Sequence, residues 1–114
     1  MQQEQDSRKV PAIGVIGGSG LYEMDGFVQS EEQIVETPFG QPSDPLVGGT
    51  IAGRQVWSLP RHGKGHRLLP HEFNHRANIW ALRSLGVRWI ICVTAVGSLR
   101  EKYAPRSLVL PDQY

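Results

Sequence analysis

Between Trp89 and Thr94 the chain reads Trp-Ile-Ile-Cys-Val-Thr, an apolar run with no polar alternation. A run this short and unbroken predicts a central strand buried on both faces, because a strand with one wet face would alternate. Such a strand commits the chain to a sheet with covering structure on each side. A second run, Ile13 to Ile16, predicts another buried strand, which opens into Gly17-Gly18-Ser19-Gly20. A third and shorter run, Leu108 to Leu110, predicts a last strand. Cys92 lies inside the first run and is expected in the core, since free cysteine packs like a small hydrophobe. It is the single cysteine, so it forms no internal disulfide and no cysteine metal cluster.

The segments between these runs set the fold class. Three prolines within Thr37–Pro45 exclude helix and central strand there. Leu46–Ile51 and Gln55–Leu59, separated by Ala52-Gly53-Arg54, predict a β-hairpin that delivers the chain into Pro60-Arg61-His62-Gly63. Phe73, Ala77, Trp80, Ala81 and Leu85 fall at helical spacing, and the pattern predicts a helix from Asn74 to Leu85 with Gly86 as its stop. The order strand, hairpin, helix, strand gives an α/β fold with a mixed sheet. One substantial helix does not cover two sheet faces, and no helix follows the final run before Tyr114, so the chain reads as cut short. Residues 1–10 are polar and without period, which predicts a disordered tail, and 11–114 then form part of a single domain.

Several function classes fall away on composition. Apolar residues make up 39% and charged residues 20%, as in an ordinary soluble globular protein. A net charge of +1 argues against nucleic acid or an anionic membrane surface as partner. The N-terminus has no apolar core of a signal peptide, and no apolar run approaches the ~20 residues that cross a bilayer. The expected location is the cytoplasm. Basic residues concentrate only between Arg61 and Arg76, a distribution suited to a small anion.

Three strand ends carry groups that could hold that anion. Gly17-Gly18-Ser19-Gly20 lets the backbone approach a ligand closely and can offer a nest of N–H groups, with the Ser19 hydroxyl as a further donor. It is neither a dinucleotide fingerprint, since Glu23 stands where the third glycine belongs, nor a Walker A loop. Alone it is equally a tight turn. Arg61 and His62, at the end of the hairpin, supply a planar fork and a hydrogen bond for phosphate. Lys64, His66 and Arg67 in the same loop read as solvated charges. Thr94 and the N–H of Ala95 leave the Trp89–Thr94 strand at its carboxyl end, where open α/β sheets bind ligands. These groups would converge on one anion if the three strands were neighbours. His71, Glu72 and His75 match a zinc-protease string, but Pro70 precedes them, Asn74 stands near the expected helix start, and no third ligand follows at a sensible spacing. No metal site is expected.

In order along the chain stand Ile16-Gly-Gly-Ser-Gly-Leu21, Thr37-Pro-Phe-Gly-x-Pro-Ser43, Arg61-His-Gly63, Asn74-x-Arg-Ala-Asn-Ile-Trp-Ala-Leu82 and Thr94-Ala-Val-Gly-Ser-Leu-Arg100. Together they resemble the N-terminal part of the methylthioadenosine phosphorylases, within the purine nucleoside phosphorylase superfamily. The resemblance covers nearly all of 13–114. It implies a nucleoside phosphorylase fold, a mixed and partly barrel-like sheet flanked by helices, assembled as a homotrimer or homo-hexamer. It implies phosphorolysis of an N-glycosidic bond, with methylthioadenosine and inorganic phosphate giving adenine and methylthioribose 1-phosphate. The phosphate site it implies is Ser19, Arg61, His62, Thr94 and Ala95, the positions already singled out.

That chemistry asks for phosphate held under C1′ while the sugar develops oxocarbenium character. Positioning and charge complementarity of this kind supply several kcal/mol, and no metal or organic cofactor is expected, with inorganic phosphate as co-substrate. Two departures from the family pattern stand out: His75 where tyrosine is frequent, and Arg106-Ser107 where Gly-Asp is usual. The residues with which such enzymes bind purine and ribose lie beyond Tyr114, and the chain alone is expected to be inactive. Two alternatives remain open: a purine nucleoside or methylthioinosine phosphorylase of the same fold, and a phosphate- or nucleotide-binding module without catalysis.

Overall fold

The computed structural model describes residues 10–17, 25–63 and 67–113. Residues 1–9 of the expected tail, Ser19, Lys64 and His66 lie outside them. Five strands form one mixed sheet: β1 (Ala12–Gly17), β2 (Phe27–Gln33), β3 (Leu46–Ile51), β4 (Arg54–Pro60) and β5 (Val87–Val93), in the order β2-β3-β4-β1-β5. β2, β3 and β4 pair antiparallel, while β4, β1 and β5 run parallel. One helix, α1 (His75–Ser84), connects β4 to β5, and short 3-10 turns occupy Pro70–Glu72 and Glu101–Tyr103. Among the described residues no helix is long and apolar enough to cross a membrane.

Local chemistry accounts for the boundaries. The β3–β4 hairpin turns on Ala52 and Gly53, both at positive φ (51° and 78°), with Ile51 facing Arg54. That is the pattern of the two-residue turns whose twist matches their strands. Asn74 caps α1 by accepting a hydrogen bond from the Ala77 N–H at 3.1 Å. Gly86, at φ 89°, follows the last helical turn in the left-handed conformation that the sequence predicts. The core lies between α1 and one face of the sheet. Ala81 and Leu82 pack with Ala12, Ile16, Leu46, Trp57, Leu59 and Val87. Gly14 makes that approach possible, because a Cβ there would stand 3.0 Å from Val87 Cγ1 and 3.2 Å from Leu82 Cδ2. On β3, a Cβ at Gly48 would meet the Trp57 ring at 2.5 Å, so glycine lets the indole lie flat across its neighbour.

Three expectations need correction, and one strand goes unpredicted. β5 is not a central strand buried on both faces: it is an edge strand, starts two residues earlier at Val87, and leaves Trp89 and Ile91 57% and 53% exposed. Its apolar run marks two apolar faces, of which α1 covers one. Cys92 is exposed as well, and so is not a core residue. Leu108–Leu110 is not a strand, and its leucines are fully exposed, since the run has no neighbouring strand among the described residues to pair with. Finally, β2 has no counterpart in the sequence reading. It is polar and mostly exposed, so it carries no hydrophobic period, and an extra residue around Ser30 shifts its register against β3.

Candidate functional site

The three parallel strands end at one level: Gly17 of β1 pairs with Pro60 of β4 on one side and with Val93 of β5 on the other. The next residues of β4 and β5 are therefore brought to the two sides of the β1 terminus. Arg61 takes up this position with three hydrogen bonds. Its backbone N–H donates to Gly17 O at 3.1 Å, Nη1 donates to Val93 O at 2.8 Å, and Nη2 donates to Thr94 Oγ1 at 2.9 Å. The guanidinium thus spans the end of β1 and ties the three strand ends together.

This arrangement orients donors outward. Thr94 Oγ1 accepts from Arg61, which leaves the hydroxyl hydrogen to be given to something else. Among the described residues, two of the five guanidinium N–H bonds are engaged. Thr94 and Ala95 are both exposed, so the crevice opens to solvent. His62 follows within the turn closed by Gly63 N–H on Pro60 O at 3.0 Å. Its Nδ1 lies 3.2 Å from Leu68 O, and because a carbonyl can only accept, this nitrogen carries the hydrogen. Leu68 N–H in turn donates to His62 O at 3.0 Å, closing the loop. The imidazole meets Phe73 edge to face at 4.7 Å, and Phe73 meets His75 at 5.8 Å. Arg61 and His62 are thus held by backbone acceptors and Thr94 by the Arg61 side chain, and the parallel register brings Arg61 and Thr94 together.

Other predicted features fall elsewhere. Arg67 is more than half exposed (54%), as expected of a loop charge, but its guanidinium is also partnered: Nη2 donates to Ser43 O and, at 3.1 Å, to Asp44 Oδ1. His71 and Glu72 belong to a 3-10 turn while His75 begins α1, so the three do not share a helical face. Among the described residues no group of three or more His, Cys, Asp or Glu side chains could hold a metal ion. A polar knot escaped the sequence reading. Asn78 and Ser43 are buried, with Asn78 Oδ1 accepting from the Ser43 N–H at 2.8 Å and Nδ2 donating to Ser43 Oγ at 3.1 Å. One turn earlier on the same helix, Asn74 Nδ2 donates to Phe39 O at 2.7 Å. An asparagine within the apolar helix stripe was the available signal, since a buried amide needs partners.

A profile of the phosphorylase superfamily matches residues 12–114. The chain belongs to this superfamily. Its resemblance extends to individual relatives at high identity. It is 60% identical over 102 residues to an S-methyl-5'-thioadenosine phosphorylase of Koribacter versatilis, covering 90% of this chain and 35% of that protein. It is 53% identical over 110 residues to a purine nucleoside phosphorylase of Streptomyces coelicolor, covering 95% and 38%. Among solved structures, a methylthioadenosine phosphorylase from an antarctic soil metagenomic library superposes with a TM-score of 0.76 at 51% identity, over 84% of this chain and 33% of that one. The chain spans about a third of the length of these phosphorylases. The superfamily motifs prove to be partners in space: Thr37–Ser43 and Asn74–Leu82 meet through Asn74–Phe39 and Asn78–Ser43. In the turn before Leu108–Leu110, Arg106 is held at φ 73°.

Proposed function

We propose that the protein to which this chain belongs cleaves the N-glycosidic bond of S-methyl-5'-thioadenosine with inorganic phosphate, releasing adenine and methylthioribose 1-phosphate. The observation that carries this reading is the bridging of the three parallel strand ends by Arg61, with Thr94 turned into a donor beside it. Arg61 neutralises phosphate and orients its oxygens, His62 and the Thr94 hydroxyl bind further oxygens, and the Ser19 hydroxyl and Ala95 N–H complete the shell. A dianion ringed by fixed donors is held for attack on C1′ without reorganisation at the moment of reaction. Phosphate is the co-substrate, and no metal or organic cofactor takes part. The identity with S-methyl-5'-thioadenosine phosphorylases over nine-tenths of the chain supports the nucleoside assignment. We place the enzyme in the cytoplasm as a homotrimer or homo-hexamer, acting on small molecules and on neither nucleic acid nor membrane.

A second reading, a phosphorylase of purine nucleosides such as inosine, is favoured by the 53% identity to the Streptomyces coelicolor protein of that name. Base release from methylthioadenosine and from inosine, each with and without phosphate, tests both on the intact protein. Adenine release that requires phosphate supports the proposal. Hypoxanthine release alone transfers the chemistry to the second reading. Release independent of phosphate, or none from a folded protein, rejects phosphorolysis.

A further inference from the structure

The loop that presents Arg61 and His62 is held from outside by a side chain that the phosphate shell does not include. Gly63 ends the Arg-His-Gly turn at φ 73°, and its α-carbon is covered by Arg67: a Cβ there would lie 2.7 Å from Arg67 Nε and 3.1 Å from Cγ and Cζ. Arg67 therefore folds back over the turn it follows. From there Nη2 donates to Ser43 O and to Asp44 Oδ1. Both acceptors are anchored. Ser43 is buried and bound through N–H and Oγ to Asn78 of α1, and the Asp44 side chain is 8% exposed. Among the described residues Asp44 Oδ2 is buried without a hydrogen-bond partner, and Arg67 is the cation paired with this carboxylate. A chain of direct contacts runs from α1 through Asn78, Ser43 and Asp44 to Arg67, and from Arg67 to the turn that carries His62.

From this geometry we infer that Arg67 is a positioning residue for phosphate: it pins the Arg61-His62 turn to the Ser43-Asp44 loop and neutralises a buried carboxylate one side chain away. Gly63 is its counterpart, the residue that leaves space for the guanidinium to cross. The inference rests on the phosphate reading of the Arg61 cluster. Without Arg67 the turn keeps its His62–Leu68 closure but loses its outer anchor, and the buried Asp44 carboxylate loses its paired cation. An anion should then bind more weakly while the rest of the site is unaffected.

The test uses the intact protein, with phosphate affinity measured by calorimetric titration of inorganic phosphate and by the KM for phosphate. Arg67→Met keeps the aliphatic stem and removes the donors. It is expected to weaken phosphate by about two- to thirty-fold, the range for a residue that acts on a ligand through its neighbours, with the KM for nucleoside unchanged. Arg67→Lys restores the charge and should recover part of the loss. Asp44→Asn separates positioning from direct contact. If Arg67 acts through Asp44, this variant also weakens phosphate, and the double variant is no worse than Arg67→Met. If Arg67 itself touched phosphate, removing the neighbouring negative charge would leave affinity unchanged or raise it, which overturns the inference. Equal losses for both substrates, or an unchanged phosphate affinity in folded Arg67→Met, would also overturn it. Absence of phosphate binding by the unsubstituted protein would remove the proposed function, and this inference with it.

Discussion

Replacing Arg61 with alanine separates its role inside the structure from the role toward phosphate proposed for it. The first is internal: the guanidinium bonds Val93 O and Thr94 Oγ1 at 2.8 and 2.9 Å, in both cases at the solvent-exposed mouth of the crevice. Water can replace it at both acceptors, so folding stability should fall by no more than about 1 kcal/mol. The second is toward phosphate, where a charged hydrogen bond is worth about 1.5–3 kcal/mol. Arg61→Ala should therefore raise the phosphate requirement roughly ten- to hundred-fold, while melting temperature moves little. The assay is initial rate against phosphate at saturating nucleoside, with thermal melting as the control.

A double-mutant cycle sharpens the argument, because Arg61 also fixes the direction of the Thr94 hydroxyl. Once Arg61 is gone, Thr94 is no longer held as a donor, and Thr94→Val should cost less than it does in the unsubstituted protein. Contacting residues of this kind couple by at least about 0.5 kcal/mol. An unchanged phosphate dependence in folded Arg61→Ala would remove Arg61 from the site. Strict additivity with Thr94→Val would refute the claim that the hydrogen bond between them orients the donor.

Other consequences concern the scaffold. Ala52→Asn places a residue suited to positive φ in the β3–β4 turn and should stabilise the protein by up to about 1 kcal/mol, read as a raised midpoint in urea; a lowered midpoint would contradict the turn geometry. Gly48→Ala drives a methyl group into the Trp57 ring and should destabilise by about 1–3 kcal/mol, with a change in indole fluorescence that Gly53→Ala, at an open position, would not give. Asn78→Leu strips the buried Ser43 N–H of its partner and should cost about 1–3 kcal/mol in denaturant titration, whereas Asn78→Leu with the exposed Ser98→Ala should show no coupling.

The parts of this fold that the sequence makes legible are those in which one local cause decides the outcome. The glycine after a helical stripe stops α1, the Ala-Gly pair turns the hairpin, and an apolar run makes β1. β2 stayed hidden because its seven residues are mostly polar on an exposed edge, where pairing with β3 and not burial holds the strand. The environment of β5 was misjudged for the converse reason. Its composition reports what both faces are suited to, while its exposure reports what α1 covers.

The site divides along the same line. Residue chemistry marks Arg61, His62 and Thr94 as candidates, a fork, an imidazole and a hydroxyl at strand ends. It did not identify what holds them. Register is a relation between segments: Pro60 and Val93 reach the two sides of Gly17 through backbone pairing that no side chain in Arg-His-Gly or Thr-Ala-Val encodes. Arg67 shows the difference most clearly. As a letter in a basic loop it is indistinguishable from a solvated charge. Its meaning comes from Gly63, which yields the space, and from Asp44, whose second oxygen is buried without a partner. A carboxylate so placed must be matched by a nearby cation, and that requirement, not the loop's overall charge, distinguishes Arg67 from a freely solvated side chain.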